Sequence, residues 1–164
     1  MDPVAIHDWI IRLLFLVPLL VASYTDITRY RIPNVLCLVM LACFPLAQWI
    51  SVNPAPWALH FFTGLAVLGV GFILFIPGLL GGGDAKLMAV CGLWLGPAVM
   101  LAALVLTTVT GGLLCLMLII LRALPIRGNA AVLRPGGPVP YGLAITAAGI
   151  LLTERLPMLA RGIT

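Results

Sequence analysis

The sequence predicts an all-α fold, a polytopic membrane helical bundle of about six transmembrane helices. Hydrophobic residues make up 63% of the chain and charged residues only 9%, with a mean hydropathy of +1.21. That composition leaves too little polar surface for a water-soluble domain. The charges that do occur gather between long apolar runs rather than along them, which is the pattern of membrane spans separated by loops.

The first span is expected from about Trp9 to Thr25, the second from Pro33 to Ile50 and the third from Trp57 to Leu80. Each is close to the roughly 20 apolar residues needed to cross a bilayer, and each break holds turn-forming or charged residues. A short fourth span, about Ala85 to Leu95, is separated by Gly96-Pro97 from a fifth that runs to Leu121. A loop rich in Pro, Gly and Arg follows from Arg122 to Pro138, and the last span runs from Val139 to about Thr153. Val21-Ala22-Ser23 has the small residues of a signal-peptide cleavage site, but Asp2 and Asp8 give the flank the wrong charge for one, so the first span is expected to be retained. The whole of 1–164 reads as a single integral-membrane domain.

The net charge of +4 comes from eight arginines and one lysine. Their placement at span ends excludes a nucleic-acid patch and points to membrane orientation. In the six-span layout, Arg29, Arg31, Lys86, Arg122, Arg127 and Arg134 fall on one side, and Arg12, Arg155 and Arg161 on the other. The richer side is expected to face the cytoplasm. The cysteines Cys37, Cys43, Cys91 and Cys115 lie within apolar runs without CxxC spacing, so they predict neither a zinc site nor a disulfide framework. His7 and His60 stand apart from any such cluster. No metal and no cofactor is expected.

Five carboxylates are present, and Asp2, Asp8 and Glu154 lie near the termini. The interior pair, Asp26 and Asp84, sits at the ends of apolar spans. An ionisable group at mid-bilayer costs on the order of 2.5 to 3.5 kcal/mol on insertion scales, which makes such residues functional candidates. Two crossings separate the pair, so both emerge on the same face.

Around them the sequence reads Asp26-Ile-Thr-Arg-Tyr-Arg-Ile-Pro-Asn34 and Gly81-Gly82-Gly83-Asp84-Ala-Lys86-Leu87. A third segment, Pro140-Tyr141-Gly142 followed by Ala144-Ile145, opens the last span. In type and order the three segments resemble those of the type IV prepilin peptidases, membrane aspartyl proteases with a GxGD motif. The resemblance covers nearly the whole chain and implies Asp26 and Asp84 as the catalytic pair. It further implies a prepilin substrate, a single-pass membrane helix with a basic leader, cut at the cytoplasmic face of the bacterial inner membrane. Larger members carry an amino-terminal module with paired CxxC zinc motifs that performs N-methylation. Without it the chain looks like the compact, peptidase-only branch serving Flp/Tad-type pili.

The chemistry is also readable from the residues. Hydrolysis by two carboxyls needs one ionised to activate water and one protonated to polarise the carbonyl, and two like charges at close range share a proton in this way. Gly81, Gly82 and Gly83 lack Cβ atoms, so a substrate backbone can approach Asp84 and the loop can take unusual dihedrals.

Plainer roles stand beside these. Pro33 and Pro140 read as helix-starting prolines. Asn34 serves either the dyad or a helix end. Lys86, two residues past Asp84, falls on another helical face and reads as snorkelling or substrate-facing. Trp9, Trp49, Trp57 and Trp94 read as interfacial anchors, and Gly64, Gly69, Gly71, Gly111 and Gly112 as close-packing positions. Paired intramembrane acids also occur in small transporters and proton relays, the competing reading.

Overall fold

The computed structural model describes residues 3–123 and 137–159. Five α-helices account for most of them: α1 (Pro3–Arg29), α2 (Asn34–Ile50), α3 (Trp57–Phe75), α4 (Gly82–Ala123) and α5 (Gly142–Leu152), the last continued by a short 3-10 turn at Thr153–Arg155. Three of them, α1, α3 and α4, are long and apolar enough to cross a membrane, while α2 is apolar but only 17 residues long. The expected loop 122–138 falls largely outside the described residues.

A straight helix of α4's 42 residues would run for about 60 Å, twice the hydrocarbon thickness of a bilayer. It does not run straight. Gly96 takes φ 66° and ψ 178°, a conformation open essentially to glycine alone. Met100 comes back against Gly92, and Asp84, Ala85 and Met88 share a groove with Leu104, Thr107 and Thr108. Residues 82–95 and 97–123 are thus the two arms of a hairpin, and with them the bundle has the six rods expected from the sequence.

Pro97 creates a debt at this bend, because it has no N–H for the Leu93 carbonyl four residues back. His60 of α3 meets it: its Nδ1 lies 2.7 Å from the Leu93 oxygen. A carbonyl only accepts, so Nδ1 carries the proton. The ring also sits where a Cβ on Gly96 would come within 2.5 Å of its Nε2, so residue 96 must be glycine on two counts. Phe44 stacks on His60 at 5.9 Å and meets Trp94 edge-on at 5.8 Å, while Trp94 donates to the Met40 carbonyl at 3.1 Å. Trp94 is therefore a fully buried core residue rather than the interfacial anchor expected from its position near a span end.

Helix α1 packs on α2 and α5, α4 on α2 and α5, and α3 lies against α4. This order explains α3's composition: only His60, Gly64 and Gly71 of its 19 residues are buried. The rest, including Phe62, Phe72 and Ile73, is exposed and apolar, as a lipid-facing helix must be. At the end of the bundle away from Asp26 and Asp84, Arg12 pairs with Glu154, and Ser51 donates to the Met158 carbonyl at 2.6 Å.

Candidate active site

Asp26 lies one turn before the end of α1. The helix stops at Tyr30, whose φ of 52° places it in the left-handed region while its N–H still donates to the Asp26 carbonyl at 2.9 Å. The chain then runs out through Arg31 and Ile32 to Pro33. Pro33 caps α2 in an extended conformation, and its carbonyl accepts the Leu36 N–H at 3.0 Å. Ile32 fills the space between the acid-bearing segments: a Cβ on Gly83 would lie 3.1 Å from the Ile32 Cβ, and one on Gly142 would lie 3.2 Å from its Cδ1.

Asp84 occupies the first turn of α4, where the helix N-terminus favours an acid. Gly82 and Gly83 belong to that same turn, and none of Gly81, Gly82 and Gly83 has a positive φ. The expected unusual dihedrals are therefore absent. Space is what these positions need, since a Cβ on Gly81 would fall 2.5 Å from Asp84 Oδ2 and one on Gly82 would fall 3.3 Å from the Phe75 ring.

The two acids line one polar cavity of about 620 Å3, together with Arg29, Arg31, Asn34 and the glycines. Asp26 is 6% exposed, Asp84 is half-buried, and both arginines are exposed. The third expected segment closes the site. Pro140 is buried and its carbonyl accepts the Leu143 N–H at 3.2 Å, starting α5. The Gly142 N–H, in the first turn of α5, donates to Asp26 Oδ2 at 2.7 Å. Tyr141, one residue earlier, turns the other way: its ring lies where a Cβ on Gly111 would come within 2.6 Å, and it lines a groove with Asp84. Neighbouring residues at one helix start thus touch Asp26 on one side and border Asp84 on the other.

That groove, about 350 Å3 between α3 and the arms of α4, is apolar apart from Asp84, Thr107, Thr108 and Tyr141. Asp84 borders both it and the polar cavity. Asn34 lines the cavity with the acids, whereas Lys86 borders neither it nor the apolar groove, and the Lys86 Nζ donates to Asn34 Oδ1 at 3.1 Å. Among the described residues, no three His, Cys, Asp or Glu side chains gather as a metal site would require. Ile32 carried no separate expectation from the sequence, and Gly111 was expected only as a close-packing glycine, without a partner. Ile32 sits within the Ile-Pro-Asn segment and could have been suspected, whereas Gly111 becomes recognisable only once Tyr141 is seen against it.

The class of protein follows from this layout: a helical membrane protein in which two carboxyls from distant segments share one cavity at the end of the bundle. The family model of the type IV leader peptidases matches residues 13–116, and the chain belongs to that family. Membership makes it a membrane protease of the prepilin-processing kind. The matched stretch contains Asp26 and Asp84, whereas Pro140, Tyr141 and Gly142 lie beyond it. No curated protein and no solved structure matches the chain.

Proposed function

We propose that Asp26 and Asp84 are the catalytic pair of an aspartic endopeptidase that removes the leader from Flp-type prepilins at the cytoplasmic membrane face, without methylating the product. The observation that carries this reading is the position of Asp84, at once in the polar cavity with Asp26 and at the end of the apolar groove. A prepilin's apolar helix lies along the groove, and its leader emerges into the cavity across the two carboxyls. The positive charge of Arg29, Arg31 and Lys86 at this end supports the cytoplasmic assignment.

Asp26 already accepts the Gly142 N–H at the start of α5, a donor that suits an ionised carboxylate. It therefore acts as the base that takes a proton from water. Asp84, which accepts no hydrogen bond among the described residues, holds the shared proton and gives it to the scissile carbonyl oxygen as water adds. Collapse of the tetrahedral intermediate breaks the C–N bond, with the proton now on Asp26 passing to the leaving amine and the hydroxyl proton that came from Asp84 returning to it as the C=O re-forms. Gly81, Gly82 and Gly83 line the cavity beside Asp84, and without side chains they present a bare backbone wall that a substrate strand can approach.

The test is co-expression with an Flp-type prepilin and measurement of pilin mass. Wild type yields the shortened chain, and Asp26→Asn and Asp84→Asn each leave the precursor uncut. Either variant trimming at the wild-type rate removes the dyad from the mechanism, and one added methyl on the mature amino terminus overturns the peptidase-only reading.

A further inference from the structure

Asp84 and Lys86 are two residues apart on α4, which turns their side chains about 200° from one another. Each therefore borders a different groove. The acid closes the one described above, and Lys86 closes a second of about 520 Å3 between α2, α3 and residues 86–93 of α4. Its walls are apolar, formed by Leu38 and Leu41 of α2, Leu65 and Leu68 of α3, and Val90 and Leu93 of α4. From Lys86 to Leu93 it extends about 10 Å into the bundle's depth. Lys86 and Asn34 are exposed at the end nearest the dyad.

We propose that this second groove is a binding site for an anionic phospholipid, one acyl chain lying along Leu65, Leu68 and Leu93 and the phosphodiester held by Lys86 and Asn34. The charge fits the occupant. Among the described residues Lys86 makes no ion pair, and it spends one of its three donors on Asn34 Oδ1. Accepting that bond leaves both Asn34 amide hydrogens free, so two side chains present donors to a phosphate oxygen at the mouth of an apolar channel. Basic pockets between helices at the headgroup level recognise anionic lipids by this combination. The groove ending in Asp84 offers no cation at its mouth and opens beside the acid pair, which keeps one negative charge between its two carboxyls and so disfavours such a headgroup. Asn34 also borders the dyad cavity, so a lipid held here sits directly beside the acid pair.

The proposal does not rest on the peptidase reading, because its readout is bound lipid. The full chain in mild detergent is incubated with mixed micelles holding equal amounts of phosphatidylglycerol and phosphatidylcholine of identical acyl chains, and retained lipid is counted by native mass spectrometry. Phosphatidylglycerol is retained about five-fold over phosphatidylcholine, the preference one cation at the headgroup level supplies. Lys86→Gln brings the two to parity, Lys86→Arg keeps the preference, and Leu68→Trp, which fills the exposed side of the groove, lowers retention of both. Millimolar inorganic phosphate leaves the lipid in place, since it lacks the acyl half of the interaction. Parity in the wild type, a preference that survives Lys86→Gln, unchanged retention in Leu68→Trp, or displacement by phosphate overturns the proposal. Expulsion of the lipid by an equimolar prepilin overturns it too, and assigns the groove to the substrate helix.

Discussion

Gly142→Ala adds one carbon and nothing else, and the structure shows where that carbon goes. It lands 2.9 Å from Asp26 Oδ2 and 3.2 Å from both the Asp26 Cβ and the Ile32 Cδ1. The first distance lies well inside normal contact, so the Asp26 carboxyl has to swing away from α5. In doing so it gives up the 2.7 Å bond from the Gly142 N–H that fixes its direction. Displacing a reacting group by about 1 Å costs on the order of 10²-fold in rate, and overpacking of this kind costs about 1 to 3 kcal/mol of stability. The assay is the time course of prepilin shortening at matched enzyme level, with thermal denaturation in detergent measured in parallel. Gly69→Ala is the control. It changes a glycine of α3 with nothing within 4 Å of the new carbon, so it keeps the rate and gains about 0.5 to 1 kcal/mol from better helix propensity. Gly142→Ala cleaving as fast as wild type refutes the argument that α5 orients Asp26.

Two other substitutions probe the frame around the site. Tyr30→Gly relieves a left-handed conformation at the end of α1 and is expected to raise stability in detergent by about 1 kcal/mol; a fall in the denaturation midpoint would show that the Tyr30 side chain contributes more than its backbone costs. His60→Leu leaves the Leu93 carbonyl without a donor beside Pro97, so a loss of about 1 to 3 kcal/mol is expected, with the cleavage rate per folded molecule unchanged because His60 lies at the far end of the bundle. An unaltered midpoint would mean that the bend at Gly96 does not depend on that bond.

Much of this arrangement was legible in the sequence because a bilayer is a demanding solvent. Apolar runs of a given length must be helices, so the spans were readable, and counting two crossings between Asp26 and Asp84 was enough to bring the acids to one end. The break at Gly96-Pro97 was marked too, since proline removes a donor and glycine permits the turn, but it was the least distinct boundary because the run before it, Ala85 to Leu95, is short for a span. Pairing between helices was not legible. Gly142 is 116 residues from Asp26, and nothing in its neighbours says that its amide serves a carboxylate rather than only opening α5. The misplacement of Trp94 has the same origin. Position near a span end suggests the interface, but the hairpin of α4 turns that end inward, against Phe15 and Phe44.

The helix periodicity of α4 then does what hydropathy alone cannot. Residues 84 and 86 differ in chemistry and in direction, so one helical turn places an acid of the pair at the mouth of one apolar groove and a cation at the mouth of another. On the two proposals above, a helix carrying a basic leader and an anionic headgroup go to different sides of α3. Exchanging the two residues, Asp84→Lys with Lys86→Asp, keeps composition and net charge while inverting both mouths. The exchanged chain is expected to lose prepilin cleavage completely and to lose its preference for phosphatidylglycerol in the Lys86 groove. If that preference persisted with an acid at 86, the charge at the groove's mouth would not be what selects the lipid, and the separation of the two grooves by α4 would have no functional meaning.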